Sequence, residues 1–191
     1  MPGVSLFLNG VMMVSRYNCL VNEAYDLDSA KLSARSKQPG HDRTFTHSEK
    51  SFVKCLEALL PQSDWEIVDH PRDLSKIISG KYGVIPEASI TSLKTGKKMF
   101  FEVKKQGNAG NADERACKHH TVQFYREMHA IYGYSYHPFS TIMCEALAVH
   151  ERYTLKHPFY FEEDNYFCWV DYDAGLLDRY LKRIADKWLC S

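Results

Sequence analysis

Apolar residues recur at two different spacings along this chain, and the changes of period mark its elements. Phe52, Leu56, Leu59 and Leu60 fall at helical spacing, so one face of a helix gathers them. Ser48 can cap that helix and Pro61 stops it. Val84 to Ile90 and Met99 to Lys104 read as strands, and Lys94-Thr95-Gly96-Lys97 supplies the turn of a hairpin between them. In the second strand a period of two sets Met99, Phe101 and Val103 on one face and Phe100, Glu102 and Lys104 on the other. A helix is expected from about Asn111 to Tyr132, with an apolar stripe of Val122, Tyr125, Met128 or His129, and Tyr132 ahead of Gly133. Phe139 to Val149 and Phe159 to Val170 are strand-like, and Leu177, Tyr180, Leu181, Ile184 and Trp188 form the stripe of a last helix from about Ala174. The order helix, hairpin, helix, strands, helix predicts an α/β fold, a mixed β-sheet flanked by helices.

Composition narrows the partners. With 191 residues and 45% hydrophobic content, one substantial core is expected and a single domain over 1–191 is the economical reading. Acidic and basic residues balance to a net charge of +0, so any surface for nucleic acid must be a local patch. The most basic stretch runs from Lys94 to Lys118, where Lys94, Lys97, Lys98, Lys104, Lys105, Arg115 and Lys118 face three acids. Six scattered cysteines show no zinc spacing and read as reduced thiols. The apolar run Val4 to Val14 lacks a preceding positive charge and is broken by Asn9 and Gly10, so it is not expected to be a signal peptide. No run reaches bilayer length, and the expected location is the cytoplasm, with no membrane partner. A loop at Gln38-Pro39-Gly40-His41-Asp42 sets the N-terminal part apart from the rest.

Glu87 follows Pro86 just before the hairpin, and Glu102-Val103-Lys104 lies in its second strand. Two carboxylates and a backbone carbonyl are sufficient protein ligands for magnesium, which keeps several waters. If the hairpin twists, Glu87, Glu102 and the Val103 carbonyl converge on an ion, and Lys104 points at the same phosphate. A Glu-x-Lys on a strand is also a common solvated face, and this spacing alone does not separate the two readings.

The segment that follows is Gly110-Asn111-Ala112-Asp113-Glu114-Arg115, then Cys117-Lys118, with Asp164-Asn165-Tyr166-Phe167-Cys168-Trp169 further on. Together with Glu102-x-Lys104 it resembles the EcoRI/MunI branch of type II restriction endonucleases in the PD-(D/E)XK superfamily, from about Gly83 to the C-terminus. Residues 1–80 show little that matches. The resemblance implies the restriction-endonuclease-like fold and Mg2+-dependent hydrolysis of duplex DNA at a palindrome with an AATT core, with Mn2+ able to substitute. It implies Glu87, Glu102 and Lys104 as catalytic residues and Glu87, Glu102 and the Val103 carbonyl as metal ligands. It further implies Gly110, Asn111, Ala112, Glu114, Arg115 and Lys118 as the DNA-binding segment. Asn can bond adenine twice, Arg donates to base acceptors, and Lys118 suits a phosphate. A homodimer on a two-fold site and a separate, protective DNA methyltransferase are the implied partners.

Two departures qualify the resemblance. Glu87 stands where the family has aspartate, which puts rate or metal preference in question. Ala109 stands where an arginine helps read the outer base pair, so that pair is read differently or not at all. Other outcomes for the same residues are a repair or structure-specific nuclease of the superfamily, or an AATT-binding protein without catalysis. Asn111 and Glu114 also have the spacing of a capping box. His119 and His120 point to different sides of a helix, so at least one is structural. Tyr132, Tyr134 and Tyr136 read as core, and Glu162, Glu163 and Asp164 as a solvated turn.

Overall fold

The architecture comes from a computed structural model that describes residues 47–106 and 110–191. Five strands form one sheet in the order β1 Trp65–Asp69, β2 Ala88–Ser92, β3 Lys98–Gln106, β4 Phe139–Glu145 and β5 Tyr166–Cys168. The β1–β2 and β2–β3 pairs are antiparallel, and the β3–β4 and β4–β5 pairs are parallel. Helices α1 His47–Leu59, α2 Ala112–Ala116, α3 Val122–Tyr132, α4 Ala146–Val149, α5 Glu151–Thr154, α6 His157–Tyr160 and α7 Ala174–Ile184 flank this mixed sheet. The β2–β3 hairpin closes as its turn residues require, with Gly96 N–H donating to Ser92 O at 2.8 Å.

Central β3 separates two cores. Met99, Phe101 and Val103 join Phe52 and Leu56 of α1 and Leu177, Leu181 and Ile184 of α7. Phe52 sits edge-on to Phe101 at 5.3 Å and to Trp169 at 5.9 Å. On the opposite face Phe100 packs with Leu74, Phe124, Met128 and Phe139, while Ala112, Ala116, Met143, Leu147, Tyr153 and Phe161 form a third cluster. The short helices on this face thereby dock beside the C-terminal end of β3. Between β1 and β2 the chain folds so tightly that a Cβ on Gly83 would lie 1.9 Å from Leu74 O. Glycine at that point lets the loop deliver Glu87 to the start of β2.

Several elements differ from the sequence pattern. The long helix over 111–132 is broken: α2 passes into a 3₁₀ turn, Cys117–His120, and Thr121 then adopts an extended conformation (ψ 152°). Its hydroxyl accepts from Phe124 N–H at 3.3 Å and caps α3 as a new helix. The buried stripe of α3 is Phe124 and Met128, whereas Val122 is 68% exposed. The apolar run from Phe139 turns helical after Glu145 (φ 58°), and that from Phe159 yields only the three residues of β5. Ser48 lies within α1, and the Gln38 to Asp42 loop lies outside the described residues. Asp164 is no solvated turn: it is buried and pairs with Arg183 at 2.7 Å and Lys187 at 2.8 Å. It therefore ties the C-terminal helical segment to the sheet edge. Tyr132, Tyr134 and Tyr136 stack in series onto Trp188, in keeping with a core role.

Candidate active site

The β2–β3 register pairs Ala88 with Phe101, and continuing it by one residue sets Glu87 across from Glu102. The Glu87 backbone is held on both sides, its N–H donating to Phe101 O and its carbonyl accepting from His70 N–H, each at 3.0 Å. Its side chain reaches β3, where Oε2 accepts from Val103 N–H at 3.0 Å. A hydrogen bond joins the Glu87 and Glu102 carboxyl groups, and Lys104 Nζ donates to Glu102 Oε1. The fold thus brings Glu87, Glu102 and Lys104 together, largely out of solvent. The methylene that Glu87 adds over aspartate gives the reach for its bonds to β3.

Two buried carboxylates in contact resist ionising together. Burial, followed by the charge of Glu102, raises the pKa of Glu87. Burial pushes Glu102 the same way, but the hydrogen bond from Glu87 and the Lys104 charge outweigh it, and its pKa is lowered. Glu87 is accordingly the protonated member and Glu102 the ionised one. A carboxyl pair sharing one proton suits a divalent cation, which can replace the proton and satisfy both groups. Glu87, Glu102 and the Val103 carbonyl are hard oxygen donors that match magnesium or manganese. Among the described residues no three His, Cys, Asp or Glu side chains gather at one point, so water and substrate oxygens would complete the shell. A groove of about 390 Å³ lined by Lys50, Lys54, Glu57, Asp69 and His70 opens onto Glu87. A larger one of about 810 Å³ surrounds His120, Tyr125, Phe159 and Tyr166, and neither Glu87 nor Glu102 lines it.

Beyond β3 the chain turns at Gly110, exposed at φ 142° with the Gln106 side chain folded against it. Gln106 Oε1 accepts from Ala112 N–H at 3.3 Å and so starts α2. Asn111 occupies the cap position but makes no capping bond with its side chain, contrary to the capping-box reading. Asn111, Glu114, Arg115 and Lys118 are all exposed. Ala112 is 1% exposed and packs its methyl group into the third cluster. Ala109 lies outside the described residues. Sequence reasoning missed Asp113, which is fully buried and held by Lys156 at 3.3 Å. Lys156 also reaches Glu114 at 3.5 Å. Nothing local in the sequence signals a partner more than forty residues away.

His119 and His120 both turn inward. His119 is 1% exposed and stacks on Phe139 at 4.5 Å, and His137 Nε2 donates to its carbonyl at 2.7 Å. Burial pushes His119 and His137 down to about 4 each and lowers His120 further. All three are neutral near pH 7.

The chain matches no family model and no curated protein. Its fold is similar to the crystal structure of MunI restriction endonuclease in complex with cognate DNA, with TM-score 0.62 and 20% identity over 84% of this chain and 94% of that one. The mixed five-stranded sheet with its flanking helices is thus a restriction-endonuclease-like fold, with Glu102 and Lys104 on its central strand and Glu87 just ahead of the neighbouring β2.

Proposed function

We propose that this chain is a Mg2+-dependent endonuclease, accepting Mn2+, that hydrolyses phosphodiester bonds in duplex DNA at a palindromic site with an AATT core. The observation that carries this reading is the meeting of Glu87, Glu102 and Lys104 at one place, on a fold shared with an endonuclease crystallised with DNA. A magnesium ion held by Glu87, Glu102 and the Val103 carbonyl would neutralise charge developing on the phosphoryl oxygens. Lys104, steadied by Glu102, holds its ammonium where it can donate to one of those oxygens and orient the attacking water. In-line displacement of the 3′ oxygen leaves a 3′ hydroxyl and a 5′ phosphate.

Reading and cutting come from adjacent parts of the chain. Asn111 can make paired hydrogen bonds to adenine N6 and N7, Arg115 can donate to base acceptors, and Glu114 can accept from exocyclic amines after exchanging Lys156. Gly110 lets the segment approach closely, and Lys118 meets a phosphate. Two protomers on a two-fold site each cut one strand, and a separate methyltransferase protects the host's own sites. Plasmid DNA incubated with the protein and Mg2+, followed by sequencing of the ends, tests this. Ends carrying 5′ AATT support it, and ends unrelated to AATT indicate a structure-specific nuclease instead. AATT duplex bound but left intact with both Mg2+ and Mn2+ rules out catalysis.

A further inference from the structure

The turn after the recognition segment is built in a way that packing alone does not require. It carries His119 and His120 onto the sheet face that holds Glu102 and Lys104. The His119 ring stacks on Phe139 and meets Phe124 edge-on at 5.6 Å. His120 Nε2 bonds Thr141 Oγ1 at 3.0 Å. In the parallel β3–β4 register Phe139 lies beside Phe100 and Thr141 beside Glu102. His120 therefore stands on the β4 residue beside Glu102, and His119 on the next residue of the same sheet face, beside Phe100.

Neither ring nitrogen of His119 has a hydrogen-bond partner among the described residues. A neutral imidazole has one N–H donor and one acceptor, and buried polar groups left unpaired are uncommon enough to need a reason. Phenylalanine would fill the same aromatic nest with no unpaired nitrogen. A polar ring here makes sense if its partner is engaged in another state of the protein. Glu102 is the acid whose charge His119 feels, and the coupling is mutual; the other charges acting on it belong to Lys118, Lys104 and His137. Lysines offer no acceptor; His137 Nδ1 is a neutral one, and Glu102 is the single carboxylate of the set and the stronger acceptor for the N–H.

We infer that His119 is a positioning residue for Glu102, its buried N–H supporting the carboxylate, directly or through one water, when Glu102 holds a cation. This deepens the nuclease reading and rests on it. Because the turn follows Asn111 to Arg115 directly, the pose of Glu102 is also tied to the seating of the segment that meets the bases. Outer partners of this kind orient metal-holding carboxylates, and losing one lowers metal affinity or activity about 10–100-fold.

The test compares the wild-type chain with His119→Phe, which keeps the stack and removes the donor, and His119→Gln, which restores a donor. Mn2+ binding by calorimetry, AATT-duplex binding in Ca2+ and single-turnover cleavage are read for each. His119→Phe is expected to bind Mn2+ about 10–100-fold more weakly and cut correspondingly slower, with DNA affinity unchanged and partial recovery in His119→Gln. Wild-type Mn2+ affinity in His119→Phe overturns the inference, as does a loss of DNA binding equal to the loss of cleavage. His119→Met carries the same expectation and stands in if the phenylalanine variant fails to fold. A chain whose Mn2+ affinity falls on His119→Phe, but whose wild type cuts no DNA, sinks the nuclease reading alone. Equal cutting by wild type and His119→Phe at limiting Mg2+ sinks the positioning role alone.

Discussion

The two faces of β3 come from alternate residues of one nine-residue strand, yet they are built on opposite principles. Toward α1 and α7, Met99, Phe101 and Val103 meet a large apolar cluster, where burial itself is the stabilising force. Beyond Phe100, the other face carries Glu102 and Lys104 among His119, His120 and Thr141. That face also contains buried polar atoms without hydrogen bonds, including both His119 nitrogens and Asp113 Oδ1. Such atoms destabilise a fold unless something offsets them. One side of the sheet thus supplies the stability that lets the other hold charge and unpaired donors.

The strongest way to break this division is at Lys104. Lys104→Ala should reduce single-turnover cleavage roughly 10²–10⁴-fold while leaving AATT binding and the melting temperature near wild type. An equal fall in binding would show that Lys104 serves the DNA interface in general. On the other face, Phe52→Ala should lower unfolding free energy by about 3–5 kcal/mol in denaturant titration, with cleavage per folded molecule unchanged below its melting range. A cleavage loss in the folded fraction would mean that the faces are not separable. Arg115→Ala should narrow the gap between AATT and unrelated duplexes by about 1–3 kcal/mol in competition binding, without loss of folding.

The mildest prediction concerns acid. His119 and His137 sit near 4 in the folded state against about 6.5 when unfolded. Between those values the unfolded chain takes up protons that the folded chain refuses, so stability falls as pH drops. Each of the two contributes about 1.4 kcal/mol per pH unit, and His120 adds in the same direction. Glu87 opposes this: its raised pKa means the folded state gains the proton first, and stability from that group rises as pH falls toward the ordinary carboxylate range. The net expectation is a loss of stability on acidification below about 6.5, measured by denaturant midpoints across pH. His119→Phe should flatten the slope and Phe52→Ala should leave it alone, which would assign the acid sensitivity to the face that carries Glu102.

What the sequence determined by itself was whatever depends on neighbours in the chain. The period of two in β3 separated Phe101 from Glu102, the Lys94 to Lys97 turn closed the hairpin, and the spacing of Leu177, Leu181 and Ile184 marked the face α7 buries. The likeness of short motifs pointed to the fold and to the acids that would meet. Tertiary structure decided what depends on groups distant in sequence. Thr121 broke a helix that periodicity alone carried through, because the turn before it seats two histidines on β4. Asp164 became a buried anchor because Arg183 and Lys187 arrive from the C-terminal helical segment. Ala112 turned inward because the short helices close over it. Local spacing fixes which side of an element a residue occupies; burial, charge pairing and protonation follow from what is packed against that side.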